Sequence, residues 1–438
     1  MYTTFSYSHK LFCKIINLLI PILVKYQSVN LLSILLSLNI KKIRSINPSN
    51  KIKYKVLILS KSGGTEDLIS SQKKYNKHIV YYNLPRPFIT KIYNTIFENN
   101  RGDVEKFKID YRNFLIKFLK VLKKKNKLNA LVGFNFNFTV EIELHYVCSH
   151  LKIPFLLLYK ESVITKTEEK YFRYALQKTK NKFNGYKIAV YSNFAKKIFS
   201  ETNFLNKNLI EVVGCSRLNE SYSFKKKKPR NQILYYAIQK DRGLPIRFVR
   251  EFGNNFFNNL KLHKQYNSKY NWDKLHSKTL KILKKFAINN PETLIIIKVK
   301  TGTSQNSEEY LNLPKNIKLQ FYGTGHQLLE KSKIVIAWNT TAIMEGIAAN
   351  RFILIPYFDS RNRSFKKRNE LILKLKNESY GFSENDFYKK LSIFLKKNYN
   401  KNKINNNQFS LKYYLNNKDK KAGFRLNRFL NKNIHYKK

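Results

Sequence analysis

The chain has 438 residues, enough for two domains with separate cores, and its 43% apolar content supports globular structure. Lys and Arg number 84 against 28 Asp and Glu, a net charge of +56. The excess is dispersed and travels with Asn, Ile, Tyr and Phe, the residues that a codon bias toward A and T enriches, so affinity for a polyanion does not follow from charge alone.

An apolar stretch at 11–40 is interrupted by Lys14, Lys25, Gln27 and Asn30, so no run approaches the roughly 20 residues needed to span a bilayer. Its most apolar part, 15–24, contains Asn17 and Pro21 and runs into Lys25 where a secretory signal would place small residues. Residues 1–50 are therefore expected to form amphipathic helices that cover the first domain or lie on an anionic membrane surface. Cysteines at 13, 148 and 215 follow no ligand spacing, which argues against a disulfide framework and for a reducing compartment. His145 and His150, five apart, fall on different helix faces, a poor start for a metal site.

The apolar run at 55–60 predicts a core strand, followed at once by Lys61-Ser62-Gly63-Gly64-Thr65-Glu66-Asp67 and a helix start. Two glycines let the backbone turn tightly and approach a ligand, although the spaced-glycine fingerprint of a dinucleotide site is missing. This loop is read as substrate-side, against a plain turn between strand and helix. Strands are expected at 78–84, 130–136 and 153–159, with a helix at 111–123. Asn135, Asn137 and Thr139 cluster where the strand at 130–136 ends, and Glu141, Glu143, His145 and His150 follow on a helix. The strand at 153–159 breaks abruptly into Lys160-Glu161-Ser162, a carboxyl-end position at which open α/β sheets carry ligand-facing residues. Glu161 and Glu143 are the candidate bases here, and Lys160 could meet a phosphate or carboxylate. Further strands at 187–191 and 209–213 lead to Gly214-Cys215-Ser216-Arg217-Leu218-Asn219, and the run Lys-Lys-Lys-Lys-Pro-Arg at 225–230 marks a linker.

The same alternation restarts with strands at 233–238, 292–299 and 317–322 and a helix at 274–286. The stretch 333–359 organises this half. A buried strand at 334–338 ends in Asn339-Thr340-Thr341, a helix covers 342–349, Asn350 stops it in the left-handed conformation, and 352–356 returns as a strand. The elbow suits a diphosphate, because amides and the positive end of the helix dipole meet there beside two hydroxyls. Glu345, one turn deeper on the same face, is placed to accept from ribose hydroxyls; the competing reading is a helix cap and a solvated carboxylate.

Alternating strands and helices in both halves predict an α/β fold of two Rossmann-like parallel-sheet domains facing a cleft. The ranges are 1–50 for the N-terminal helices, 51–224 for the first domain, 231–380 for the second and 381–438 for a basic, helical, only partly ordered tail.

The domain pair, with 323–358 as a donor half-site, resembles the GT-B fold of nucleotide-sugar glycosyltransferases. Ser62-Gly63-Gly64-Thr65-Glu66-Asp67, Leu84-Pro85-Arg86, Lys160-Glu161-Ser162, Ala189-Val190-Tyr191 and Val213-Gly214-Cys215-Ser216-Arg217-Leu218-Asn219 look like the pattern of bacterial surface-carbohydrate and capsule biosynthesis proteins. Ser216 and Asn219 stand where that pattern has proline and aspartate. The resemblance implies a cytoplasmic glycosyltransferase that moves a sugar from a nucleotide donor to a glycan or lipid-linked acceptor. Donor binding would fall to Lys298, Lys300, Gly323, Gly325, His326, Asn339, Thr340, Thr341 and Glu345. The acceptor side would use Gly63, Gly64, Glu66, Asp67, Asn135, Lys160, Ser162 and Arg217. No Asp-x-Asp signature stands in a suitable place, so the expectation is no obligatory metal and no cofactor beyond the nucleotide-sugar co-substrate. A sugar-nucleotide epimerase is the alternative within the fold. A basic nucleic-acid-binding protein is the alternative outside it, disfavoured because the aromatics lie in apolar periodic runs and no recognised nucleic-acid module is present.

Overall fold

A computed structural model describes residues 7–26, 28–38, 40–43, 46, 48–59, 64–84, 86–135, 141–160, 163–164, 166–178, 182–225, 227–238, 272–299, 308–321, 325–338, 340–358, 375, 377–398, 408–416 and 419–434. The chain divides into two compact units, one of 1–160, 179–217 and 421–438, the other of 161–178 and 218–420.

The first unit begins with helices α1 (Tyr7–Lys25) and α2 (Val29–Leu38) and the short strand β1 (Lys41–Lys42). Then follow β2 (Tyr54–Leu59), α3 (Gly64–Tyr75), β3 (Ile79–Leu84), α4 (Arg86–Asn99), α5 (Val104–Asn126), β4 (Ala130–Gly133), α6 (Ile142–His150) and β5 (Phe155–Tyr159). After α7 (Lys166–Lys178), which lies with the second unit, come β6 (Lys187–Val190), α8 (Asn193–Glu201) and β7 (Ile210–Val212). The sheet order is β1-β3-β2-β4-β5-β6-β7, parallel throughout except for β1 at the edge. Strands β4 and β5 are buried along their whole length, which is why they read as unbroken apolar runs.

The second unit contains α9 (Leu218–Phe224), β8 (Gln232–Tyr236), α10 (Trp272–Asn289), β9 (Leu294–Lys298), β10 (Ile317–Gln320), α11 (Gly325–Lys331), β11 (Ile334–Ile336), α12 (Thr341–Ala348), β12 (Phe352–Pro356), β13 (Tyr380–Gly381), α13 (Glu384–Lys396) and α14 (Gln408–Leu415). Its sheet is parallel in the order β10-β9-β8-β11-β12-β13. The protein is thus an α/β chain with two Rossmann-like sheets.

The chain returns to the first unit with α15 (Ala422–Asn433). Composition alone suggested a partly ordered tail. Instead Leu426, Phe429, Leu430 and Ile434 recur on one helical face and enter the core beside Val56, Ile58 and Leu68. Ser71 on α3 donates to the Gly423 carbonyl at 2.7 Å, and Arg425 donates to the Val213 carbonyl at 3.0 Å. Averaged polarity concealed the stripe, because its apolar residues are few and correctly spaced. The units therefore cut the chain differently from the ranges 51–224, 231–380 and 381–438.

Candidate functional site

Each sheet has one place where the strand order reverses, and in open α/β sheets ligands bind beyond the carboxyl ends of the strands at that point. In the second unit the reversal falls between β8 and β11. Beyond β11, Ala337 and Trp338 are buried, and Thr340 then takes an extended conformation (φ −138°, ψ 153°) and caps α12, its hydroxyl accepting from the Ala342 amide at 3.5 Å. Thr341 is half-buried in the first turn, and Asn350 has φ 58°, the left-handed stop expected from the sequence.

Helix α11 starts beside it. A Cβ on Gly325 would come within 2.3 Å of the Tyr236 hydroxyl at the end of β8, so only glycine lets α11 begin this close to the strand. His326, the next residue, places Nδ1 3.5 Å from a Glu345 carboxylate oxygen. Its Nε2 lies 3.3 Å from the Ser221 hydroxyl and 3.8 Å from the Glu220 carboxylate, and Phe224 meets the ring edge-on at 5.7 Å. Arg351 sets this arrangement from behind. Fully buried, it donates to the carbonyls of Phe224 (3.2 Å), Lys227 (3.4 Å), Leu329 (3.2 Å) and Glu330 (2.9 Å), so one guanidinium gathers the last turns of α9 and α11.

Sequence reasoning set Glu345 and His326 apart, one for ribose and one in a glycine-rich turn. The structure makes them a pair, with the Glu345 side chain only 12% exposed. Lys298 is also differently engaged. Its ammonium donates to the carbonyls of Val299 (2.9 Å) and Phe321 (3.1 Å) and so joins the ends of β9 and β10. Lys300, Gly323 and Asn339 lie outside the described residues.

In the first unit the order reverses between β2 and β4. Gly64 opens α3 there, and a Cβ on it would meet the Phe134 ring at 2.3 Å. Asn135 is buried just beyond β4. Asp67, one turn into α3, is buried and draws three distant segments together. It accepts from the Tyr191 hydroxyl, from the Cys215 thiol at 3.5 Å and from the Arg217 amide at 3.2 Å, with the Arg217 Nε 3.8 Å away. The Ser216 hydroxyl, at the position where the resembling pattern has proline, donates to the Asp67 carbonyl at 2.5 Å. Burial first, and then the charge of Asp67, push the Tyr191 hydroxyl well above its ordinary pKa. A cavity bounded by Gly64, Asp67, Tyr191, Gly214 and Leu426 remains, large enough for about one water molecule. Only the spacing of the motifs along the chain hinted at this network; Tyr191 and Cys215 carried no site signal of their own.

Glu66 is half-buried in the first turn of α3, and Lys160 is half-buried just past β5. Gly63, Glu161 and Ser162 lie outside the described residues. Glu143 is buried and ion-paired with Arg112, whose guanidinium also lies 4.2 Å from the centre of the Tyr146 ring, so Glu143 joins α6 to α5. His145 accepts from the Asn184 amide at 3.1 Å through Nδ1, and burial together with the Arg112 charge lowers its pKa to about 4. Among the described residues no group of three or more His, Cys, Asp or Glu could hold a metal ion.

No family model matches the chain, and no curated protein matches it. Solved structures of similar shape include UDP-GlcNAc 2-epimerase from Neisseria meningitidis bound to UDP-GlcNAc, at 10% identity over 86% of this chain and 100% of that one, with a TM-score of 0.45. A glycosyltransferase from Rickettsia africae is similar at 13% identity over 87% and 98%, with a TM-score of 0.43. The wall teichoic acid polymerase TagF is similar at 10% identity over 98% of both chains, with a TM-score of 0.48. Similarity at this level assigns no residue and no activity.

Proposed function

We propose that the protein is a GT-B-type glycosyltransferase that moves a sugar from a nucleotide donor to a surface-glycan acceptor in the cytoplasm. One observation carries the reading: at the strand-order reversal of the second sheet, the N-terminus of α12 stands beside the His326–Glu345 pair. The donor diphosphate sits against the first turn of α12 with the Thr340 and Thr341 hydroxyls, and Lys300, two residues past β9 in the chain, adds charge. Glu345, oriented by His326, accepts from the ribose hydroxyls.

In the reaction an acceptor hydroxyl oxygen bonds to the anomeric carbon as the bond from that carbon to the phosphate oxygen breaks. The proton passes to a carboxylate and the nucleoside diphosphate leaves. Glu161 is the proposed base, since Glu143 is held by Arg112. Amides and a helix dipole fixed at the leaving oxygens stabilise the departing charge without a divalent ion.

A thermal-shift screen of UDP, CMP, GDP and their sugars tests the site, and at least one nucleotide is expected to raise Tm. The double variant Thr341→Ala, Glu345→Ala is expected to lose that shift while unfolding within about 5 °C of the wild type. If no nucleotide stabilises the wild type, the reading fails. Product analysis then separates transfer from epimerisation, because an epimerase consumes no second sugar. Activity that vanished in chelator and returned only with manganese would overturn the metal-free mechanism.

A further inference from the structure

We infer that the outer face of the α1–α2 hairpin docks the protein onto an anionic lipid bilayer. A helix at a protein surface ordinarily has one apolar face, turned inward. These two have apolar residues on both sides. Ile16 and Ile20 of α1 are buried, as are Leu32 and Leu36 of α2, and the two helices pack on α4 and α5 respectively. Lys91 on α4 donates to the Asn17 carbonyl, and Lys125 on α5 donates to the Ser37 hydroxyl at 3.2 Å, so the hairpin is fastened along its inner side.

The other side carries Ile15, Leu18, Ile22 and Tyr26 from α1 and its end, then Leu31, Ile34 and Leu38 from α2. Their spacings of three and four keep each set on one helical face. They are exposed from 45% at Ile15 and Ile34 to 72% at Leu18, and only residues 26–28 separate the two helices in the chain. Scattered exposed apolar residues are ordinary, but a continuous stripe along two adjacent helices marks an interaction surface.

Charge selects the partner. The first 65 residues contain ten Lys and Arg and not one Asp or Glu, and Lys14 and Lys25 of α1 are exposed beside the stripe. A second copy of the chain would bring two such positive surfaces together and repel. An anionic bilayer supplies apolar depth for the stripe and negative charge for the lysines at its margin. Among the described residues no helix is long and apolar enough to cross a membrane, so the hairpin lies in the interface plane. The inference is independent of the glycosyl-transfer reading.

Co-sedimentation of the full chain with vesicles tests it, using phosphatidylcholine alone and phosphatidylcholine with about a third phosphatidylglycerol. Binding is expected on the anionic vesicles and at least about tenfold weaker on the neutral ones. The variant Leu18→Ser, Ile22→Ser, Leu31→Ser, Ile34→Ser keeps every charge, and it is expected to lose about tenfold or more of that binding with Tm unchanged. Undiminished binding by this variant would mean that dispersed charge does the work, which overturns the proposal. A wild-type dimer without vesicles that the same variant converts to monomer would put a second copy on this face, which also overturns it. As a check needing no disruptive change, Leu18→Trp is expected to shift its emission to the blue on anionic vesicles; an unshifted spectrum sinks the proposal.

Discussion

Each unit carries an acid in the helix that leaves its strand-order reversal, and the two acids are held in opposite ways. In the first unit Asp67, on α3, is buried among Tyr191, Cys215, Ser216 and Arg217, which follow β6 and β7, and the cavity beside it holds about one water. In the second unit the elbow after β11 keeps a half-buried Thr341 and a Glu345 pair at 3.5 Å, set by carbonyl bonds made behind it by Arg351. The comparison separates an acid whose oxygens are consumed in joining distant segments from one that pairs with a histidine beside a helix start.

That contrast breaks most sharply at Asp67. Asp67→Ala removes the acceptor of the buried Tyr191 hydroxyl and of the Arg217 amide together with the carboxylate near the Arg217 guanidinium, and the expected loss is about 4 kcal/mol by urea denaturation. Glu345→Ala, at the corresponding depth of the second unit, is expected to cost about 1 kcal/mol or less, since its partner His326 keeps Ser221 nearby. Equal losses at the two positions would erase the distinction.

The first unit is also expected to be the acid-sensitive one. His145 titrates at about 4 when folded, against an ordinary value near 6.5, so between these values the unfolded chain binds the extra proton. Its contribution is complete above pH 6.5 and lost as pH falls through 4, a difference of about 3 kcal/mol. Denaturation at pH 7 and pH 4 reads this, and His145→Asn should flatten the dependence by that amount. The smallest effect belongs to the cap of α12: Thr340→Ala is expected to cost about 1 kcal/mol, and to weaken nucleotide stabilisation by more than that stability loss explains.

Much of the fold was legible because its central strands, such as β4, β5, β11 and β12, are buried on both faces. Residues 155–159 and 334–336 could only be core, and the alternation of such runs with amphipathic helices predicted two parallel sheets. The Thr340 cap and the left-handed Asn350 were legible for the same kind of reason, since each is settled by bonds within a few residues. The strands at 130–136 and 317–322 ended earlier than expected, at Gly133 and Gln320, because apolar character continues past the point where pairing stops. The tail helix was missed because its four core-facing residues matter only once α3 is there to meet them.

Local order, then, was written in residue type and spacing: which segments are strands, where helices begin and stop, and which loops lie at carboxyl ends. Partners far apart in the chain were not. Asp67 with Tyr191, His326 with Glu345 and Lys298 with the Phe321 carbonyl are chosen by the packing of whole elements. A side chain's chemistry is defined by what surrounds it, and for buried polar groups those surroundings exist only after the sheets and helices have closed around them.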